Sequence, residues 1–271
     1  MAERTVSSEF RDIDNAKTAD HLIHYLEYMD SLPETRQLKE RSYGYLGLKE
    51  GDVVLDAGCG PGYDALRMAA IVGKKGQVTG IDMSERMIAI AQAKPKRTGL
   101  PVSFRTGDVR KLPFPDASFD AVRIERTLQI LDNPGQVLDE IVRVLRPGGR
   151  LLSMEPDWDT FVIDPGSRNT ARTFFRFCAD QFPDSATGRK LYRYFRERDL
   201  EDISLHPDVL VLHDFSVTAK MMNMEQFLAE AQEREVLTCE EVTSWLAQLK
   251  DADAKRQFMF AGLMFAVCGR K

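Results

Sequence analysis

Asp56, Gly58, Gly60 and Gly62 follow directly on the apolar run Val53-Val54-Leu55. Three glycines at alternate positions let a chain turn sharply and let a ligand approach its backbone closely. A carboxylate just ahead of them is a poor neighbour for pyrophosphate and a good one for a ligand carrying an amino group. The spacing also departs from the dinucleotide fingerprint G-x-G-x-x-G, whose third glycine would fall on Tyr63. The chemistry indicated is the binding of a positively charged, nucleotide-like cofactor rather than a nicotinamide or flavin.

Further acids recur along the chain. Asp82 closes the stretch Gln77-Val78-Thr79-Gly80-Ile81, at a distance from the glycines where a carboxylate accepts hydrogen bonds from both hydroxyls of a ribose. Asp108 follows residues 102–106, and an aspartate beside an exposed backbone N–H can recognise an adenine edge. Glu125 closes residues 119–124.

These groups need elements that bring them together. Val53, Val54 and Leu55 form an unbroken run of β-formers, as a strand covered on both faces requires. From Tyr63 the apolar spacing turns helical, through Leu66, Ala69 and Ala70. Ser84 caps a second helix whose apolar stripe is Met87, Ile88, Ile90 and Ala91. Residues 102–106 and 119–124 read as strands three and four, 135–145 as a helix broken at Arg146-Pro147-Gly148-Gly149, and 150–154 as strand five. All the acids then stand at one sheet edge, where open α/β sheets bind ligands.

Five blocks in order carry a resemblance: 54–62, Gly80-Ile81-Asp82-Met83-Ser84, Gly107-Asp108-Val109, Leu112-Pro113-Phe114-Pro115-Asp116 through Phe119-Asp120, and Val144-Leu145-Arg146-Pro147-Gly148-Gly149. Over residues 45–157 the chain resembles the class I S-adenosylmethionine-dependent methyltransferases, in the small-molecule branch that includes the quinone-biosynthesis C-methyltransferases. The resemblance implies an α/β, Rossmann-like fold: a seven-stranded, mostly parallel sheet with an antiparallel last strand, N-terminal helices and a helical insertion after strand five. It implies that Gly58, Gly60 and Gly62 pack against the methionine moiety of the cofactor, with Asp56 near its amino group. Asp82 would hold the ribose and Met83 pack on the adenine. Asp108 and the Val109 backbone would read the adenine edge, and Glu125 would face the sulfonium end. Asp120 reads as a structural turn residue. Relatives often carry a His before the Asp-Asn-Pro turn, where this chain has Ile130, so no base is inherited there.

The remaining residues bear on the substrate. Residues 1–48 read as a helical cap, with helices at 13–30 and 35–48, and Arg41 or Tyr43 are candidates to reach the methionine carboxylate. The core is 49–157 and the sheet finishes in 206–271, with strands at 209–215 and 262–268. Between them, 158–205 reads as a helical lid with nine aromatic residues from Trp158 to Phe195, which either line an apolar pocket or pack the insertion. If the acceptor needs a base, Glu155 at the end of strand five is the first candidate, before Asp157 and Glu125; tying down backbone is its alternative role. His21 and His24 either cover the pocket or face solvent, and His213 reads as structural.

Composition narrows the classes. Thirty-seven Lys and Arg against 42 Asp and Glu give a net charge of −5, without the basic footprint of a nucleic-acid binder. No run reaches the length of a membrane helix. Four scattered cysteines without C-x-x-C spacing fit reduced thiols in a cytoplasmic protein without a structural metal. The expectation is methyl transfer to a carbon or oxygen of an apolar or aromatic small molecule, by a monomer or homodimer. A cyclase that binds the cofactor without consuming it and a non-catalytic cofactor-binding subunit stay open.

Overall fold

The computed structural model describes residues 6–16, 18–94 and 99–271; Lys17 and residues 1–5 of the expected N-terminal cap lie outside them. In chain order the elements are α1 (Val6–Arg11), α2 (Ala19–Ser31), α3 (Pro33–Leu46), β1 (Val53–Ala57), α4 (Tyr63–Val72), β2 (Gln77–Asp82), α5 (Glu85–Ala93), β3 (Val102–Thr106), β4 (Phe119–Glu125), α6 (Pro134–Val144), β5 (Leu145–Asp164), α7 (Arg168–Ala179), α8 (Thr187–Arg196), β6 (Glu201–Leu212), α9 (Phe215–Met221), α10 (Met224–Glu233), α11 (Cys239–Ala254) and β7 (Met259–Arg270). Short 3-10 turns stand at Ile13–Asn15 and Leu128–Ile130.

The seven strands form one sheet in the order β3-β2-β1-β4-β5-β7-β6. β1 to β5 are mutually parallel, and β7 runs antiparallel to both β5 and β6. β1 is apolar because both of its faces are covered: Val54 packs with α3 and α4 residues on one side, Leu55 with α6 residues on the other. Asp120 is the structural residue the sequence suggested, accepting from Val53 N at 2.8 Å and pairing with Arg146 at 2.5 Å.

The far half of the sheet is longer than its sequence suggested. β5 leaves β4 at the Glu125–Met154 pair but continues to Asp164, paired with β7 across an irregularity between Asp157 and Val162. β5, β7 and β6 thus form a three-stranded wing that overhangs the carboxyl edge of the parallel strands. β6 begins at Glu201 and ends at Leu212, rather than spanning 209–215, because Asp214 caps α9 by accepting from Val217 N at 2.9 Å. Pro207 is tolerated inside β6 because that strand is the edge of the sheet.

Above the wing a second apolar core joins α7, α9, α10 and α11, with Phe174 and Trp245 fully buried at its centre. The segment expected to be wholly a helical lid therefore contains the end of β5, two helices and the start of β6. Phe174, Phe175 and Phe177 pack this core, and Phe195 packs under the sheet beside α6. The site lies between the parallel strand ends and this helical cap.

Candidate active site

Gly58, Gly60 and Gly62 all adopt left-handed backbone, with φ of 72°, 50° and 80°. Gly62 is also required sterically, since a Cβ there would meet Phe104 at 2.7 Å and Ala91 at 2.9 Å. At Gly60 the nearest atom would be 4.0 Å away, so this glycine keeps the turn open towards the cavity. Asp82 braces the turn from β2: one oxygen accepts from Gly60 N at 2.8 Å and the other from Ser84 N at 3.0 Å. An ionised carboxylate has about four acceptor sites, so two stay free for vicinal hydroxyls.

Asp56 and Arg123 are register partners on β1 and β4, and both are almost wholly buried. The Arg123 guanidinium lies 3.6 Å from Asp56 and 3.5 Å from Asp64, and is hydrogen-bonded to Glu125. Lys39 of α3 bridges Asp64 at 2.8 Å and Asp30 at 3.3 Å, and Arg67 forks onto Asp30 at 2.6 and 2.7 Å. The acids Asp30, Asp56, Asp64 and Glu125, none with a side chain more than 14% exposed, are thus held together by Lys39, Arg67 and Arg123. Burial pushes Asp56 up to about 7 against the pull of Arg123. Asp64 is held well below the usual carboxylate range, because Arg123 and Lys39 outweigh its burial. Asp56 Oδ2 is buried without a hydrogen-bond partner, an acceptor left for a ligand ammonium.

One cavity of about 250 Å³ joins these groups to an apolar chamber. Asp56, Gly58, Gly60, Asp82 and Glu125 line it together, with Lys39, Asp64, Arg123 and Arg126. Gly62, Met83, Asp108 and Val109 do not. Gly62 starts α4 behind the turn; Met83 is 49% exposed; Asp108 is forked by Arg110 at 2.8 and 3.0 Å on the loop after β3; and Val109 is buried beneath that loop. The N-terminal segment straps over the opening: Asp14 accepts from Ser84 Oγ at 2.6 Å and Glu85 N at 2.8 Å, and Arg11 pairs with Asp132 at 3.0 Å.

The far chamber is walled by Trp158, Phe161, Phe182, Met222, Phe227 and Met264, among others. Trp158 stacks on Phe182 at 4.6 Å, and its indole N–H donates to Gln129 Oε1 at 2.9 Å. His21 lines the cavity and His24 does not.

Glu155 has a different position from the one expected of a base. Because β5 continues past it, strand alternation points Pro156 into the cavity and Glu155 to the opposite face. There it is fully buried and its Oε1 accepts from Thr127 N at 3.0 Å and Leu128 N at 2.8 Å, fixing the loop after β4. Burial pushes its carboxyl up to about 8. Asp157 is held by Arg189 on the same face. Tyr43 donates to Asp64 within the buried network, and Arg41 turns away to Asp208 at 2.8 Å; Lys39 is the α3 residue that reaches the cavity. The sequence signal for the missed network was Arg123 itself, a cation inside a strand apolar enough to be covered on both faces. Among the described residues no cluster of His, Cys, Asp and Glu is arranged to hold a metal.

The S-adenosylmethionine implied by the sequence fits this donor and acceptor set: an orphaned acid for an ammonium, a braced carboxylate for ribose, and an open glycine turn between them. Several known proteins are similar to the chain. An uncharacterised 37.1 kDa protein in a transposon of Streptomyces fradiae is 32% identical over 229 residues, covering 84% of this chain and 66% of that protein. The demethylmenaquinone methyltransferase of Listeria welshimeri is 35% identical over 156 residues, 57% of this chain and 65% of the enzyme. The chain thus spans just under two thirds of the length of these relatives. In fold, the crystal structure of a Bacillus halodurans protein superposes with a TM-score of 0.62 at 21% identity, over 86% of this chain and 98% of that one. The family described as "Methyltransferase domain" matches residues 48–199, and the chain belongs to that family.

Proposed function

We propose that the protein is an S-adenosylmethionine-dependent methyltransferase whose acceptor is a carbon or oxygen of an apolar or aromatic small molecule. The observation that carries this reading is the continuity of the cavity, from the glycine turn and its acids to the aromatic chamber. When bound, S-adenosylmethionine supplies a methyl carbon made electrophilic by its sulfonium. Asp82 accepts from the ribose hydroxyls and Asp56 from the ammonium. Gly58, Gly60 and Gly62 admit the methionine end, Glu125 faces the sulfonium, and Met83, Asp108 and Val109 meet the adenine outside the enclosed cavity. Trp158, Phe182 and Phe227 hold the acceptor in line and keep water out, and such positioning can supply much of the barrier reduction. Glu155 positions the loop that carries Arg126 to Ile130.

The four free thiols, three of them buried, support a reducing, cytoplasmic setting. Leu205, Val209, Val211 and Val162 are exposed on the outer face of the wing, with Val211 and Val162 flanking Ala261 in one row; this strip supports a homodimer, testable by light scattering. No described helix is long and apolar enough to cross a membrane. The test of function is a screen of phenolic, quinol and enolic acceptors read by release of S-adenosylhomocysteine. Release above the acceptor-free rate supports the reading. Rearranged acceptor without that release would instead indicate a cyclase.

A further inference from the structure

Three cations line the cavity, and two are spent. Lys39 holds Asp30 and Asp64, and Arg123 holds Asp56, Asp64 and Glu125. Arg126 differs. Its guanidinium makes one ion contact, Nε to Glu125 Oε1 at 3.2 Å, and none of its side-chain N–H groups is hydrogen-bonded to a described residue.

Its orientation is built in by the backbone. Alternation along an extended β4 would send Arg126 to the face opposite Glu125. Arg126 instead takes a left-handed φ of 49° while its N–H donates to Met154 O at 3.0 Å. Both side chains therefore line the same cavity. Left-handed backbone is costly for a residue other than glycine and clusters at functional sites. Four terminal N–H donors in a planar fork, not hydrogen-bonded to any described residue and lining a mostly apolar chamber, match one ligand chemistry: a carboxylate or similar oxyanion.

We propose that Arg126 is the oxyanion anchor of this site, binding either the methionine carboxylate of the cofactor or an acidic oxygen of the acceptor. The inference rests on the methyltransferase reading, and the acceptor-side source would narrow its acceptors to acids, phenols or enols that ionise near neutrality. Glu125 holds the guanidinium by its Nε edge and leaves both terminal nitrogens for the ligand.

The test uses Arg126→Gln, Arg126→Lys and Arg126→Gly. Glycine adopts the required φ without strain, so this last variant stays folded when the guanidinium is gone. Titrations compare S-adenosylhomocysteine with 5′-methylthioadenosine, which lacks the amino-acid end. They also compare the anionic probe 1-anilinonaphthalene-8-sulfonate with neutral N-phenyl-1-naphthylamine, with and without S-adenosylhomocysteine. If the anchor serves the cofactor, Gln and Gly weaken S-adenosylhomocysteine about 10- to 100-fold and leave methylthioadenosine unchanged. If it serves the acceptor, they weaken only the sulfonate probe by a similar factor, and Lys restores part of it. Loss of no ligand, or equal loss of charged and uncharged ones, overturns the proposal. Failure of the wild-type protein to bind S-adenosylhomocysteine would instead refute the methyltransferase reading, while the naphthalene pair still reports on Arg126.

Discussion

Replacing Glu155 with Gln should remove a loss of stability that the protein suffers as pH rises towards 8. Glu155 is fully buried, its Oε1 accepts from two backbone N–H groups, and its Oε2 is buried without a partner. Burial raises its carboxyl from the ordinary 4.5 to about 8. Between those values the native state binds more protons than the unfolded chain. The stability this group contributes is therefore full below about pH 4.5 and is lost as pH rises through about 8. At about 1.4 kcal/mol per pH unit, the interval gives an upper bound of about 5 kcal/mol. Gln keeps an oxygen for Thr127 N and Leu128 N but does not titrate, and its unpartnered amide resembles the unpartnered O–H of the protonated acid. Urea unfolding of both proteins at intervals from pH 5 to 8.5 provides the assay. The variant should match the wild type within about 1 kcal/mol at pH 5 and exceed it by several kcal/mol above pH 8, with S-adenosylhomocysteine affinity unchanged. Parallel stability curves would refute the reasoning, and loss of turnover with intact loop structure would restore Glu155 as a base.

Other perturbations separate the parts of the site. Arg123→Met leaves Asp56, Asp64 and Glu125 without their shared partner and should cost about 3–5 kcal/mol in urea unfolding. Gly62→Ala places a methyl against Phe104 and Ala91 and should lose about 1–3 kcal/mol of stability. Gly60→Ala, which meets nothing closer than 4.0 Å, should lose about 1 kcal/mol and show its main defect in cofactor titrations. Because burial pushes Asp56 up to about 7 and it must be ionised to accept an ammonium, S-adenosylhomocysteine affinity should fall towards about tenfold per pH unit below that value; Asp56→Asn should flatten this dependence.

The parallel half of the site was legible because its information is local. The glycines, Asp82 and Glu125 each sit at a strand end that the apolar runs mark. The far half was not, because its strands are defined by one another. β5 extends ten residues beyond Met154 only because β7 runs beside it, and nothing in the local spacing announces that partner. The same length explains Glu155: taken as a strand terminus it faces the cavity, but within a continuing strand it faces α8. Trp158, Phe161 and Phe182 do line the chamber as an aromatic lid suggested, whereas Phe174, Phe175 and Phe177 pack the cap. The charged network was not legible because its members come from α2, α3, β1, α4 and β4 and meet only in the fold.

The central claim, that this cavity holds S-adenosylmethionine, is tested most directly by calorimetric titration of the folded protein with S-adenosylhomocysteine, beside Asp82→Ala. Micromolar binding, weakened about 100-fold or more when the ribose-facing carboxylate and its brace on Gly60 are removed, is the predicted result. A wild-type protein that unfolds cooperatively yet takes up no ligand would contradict it.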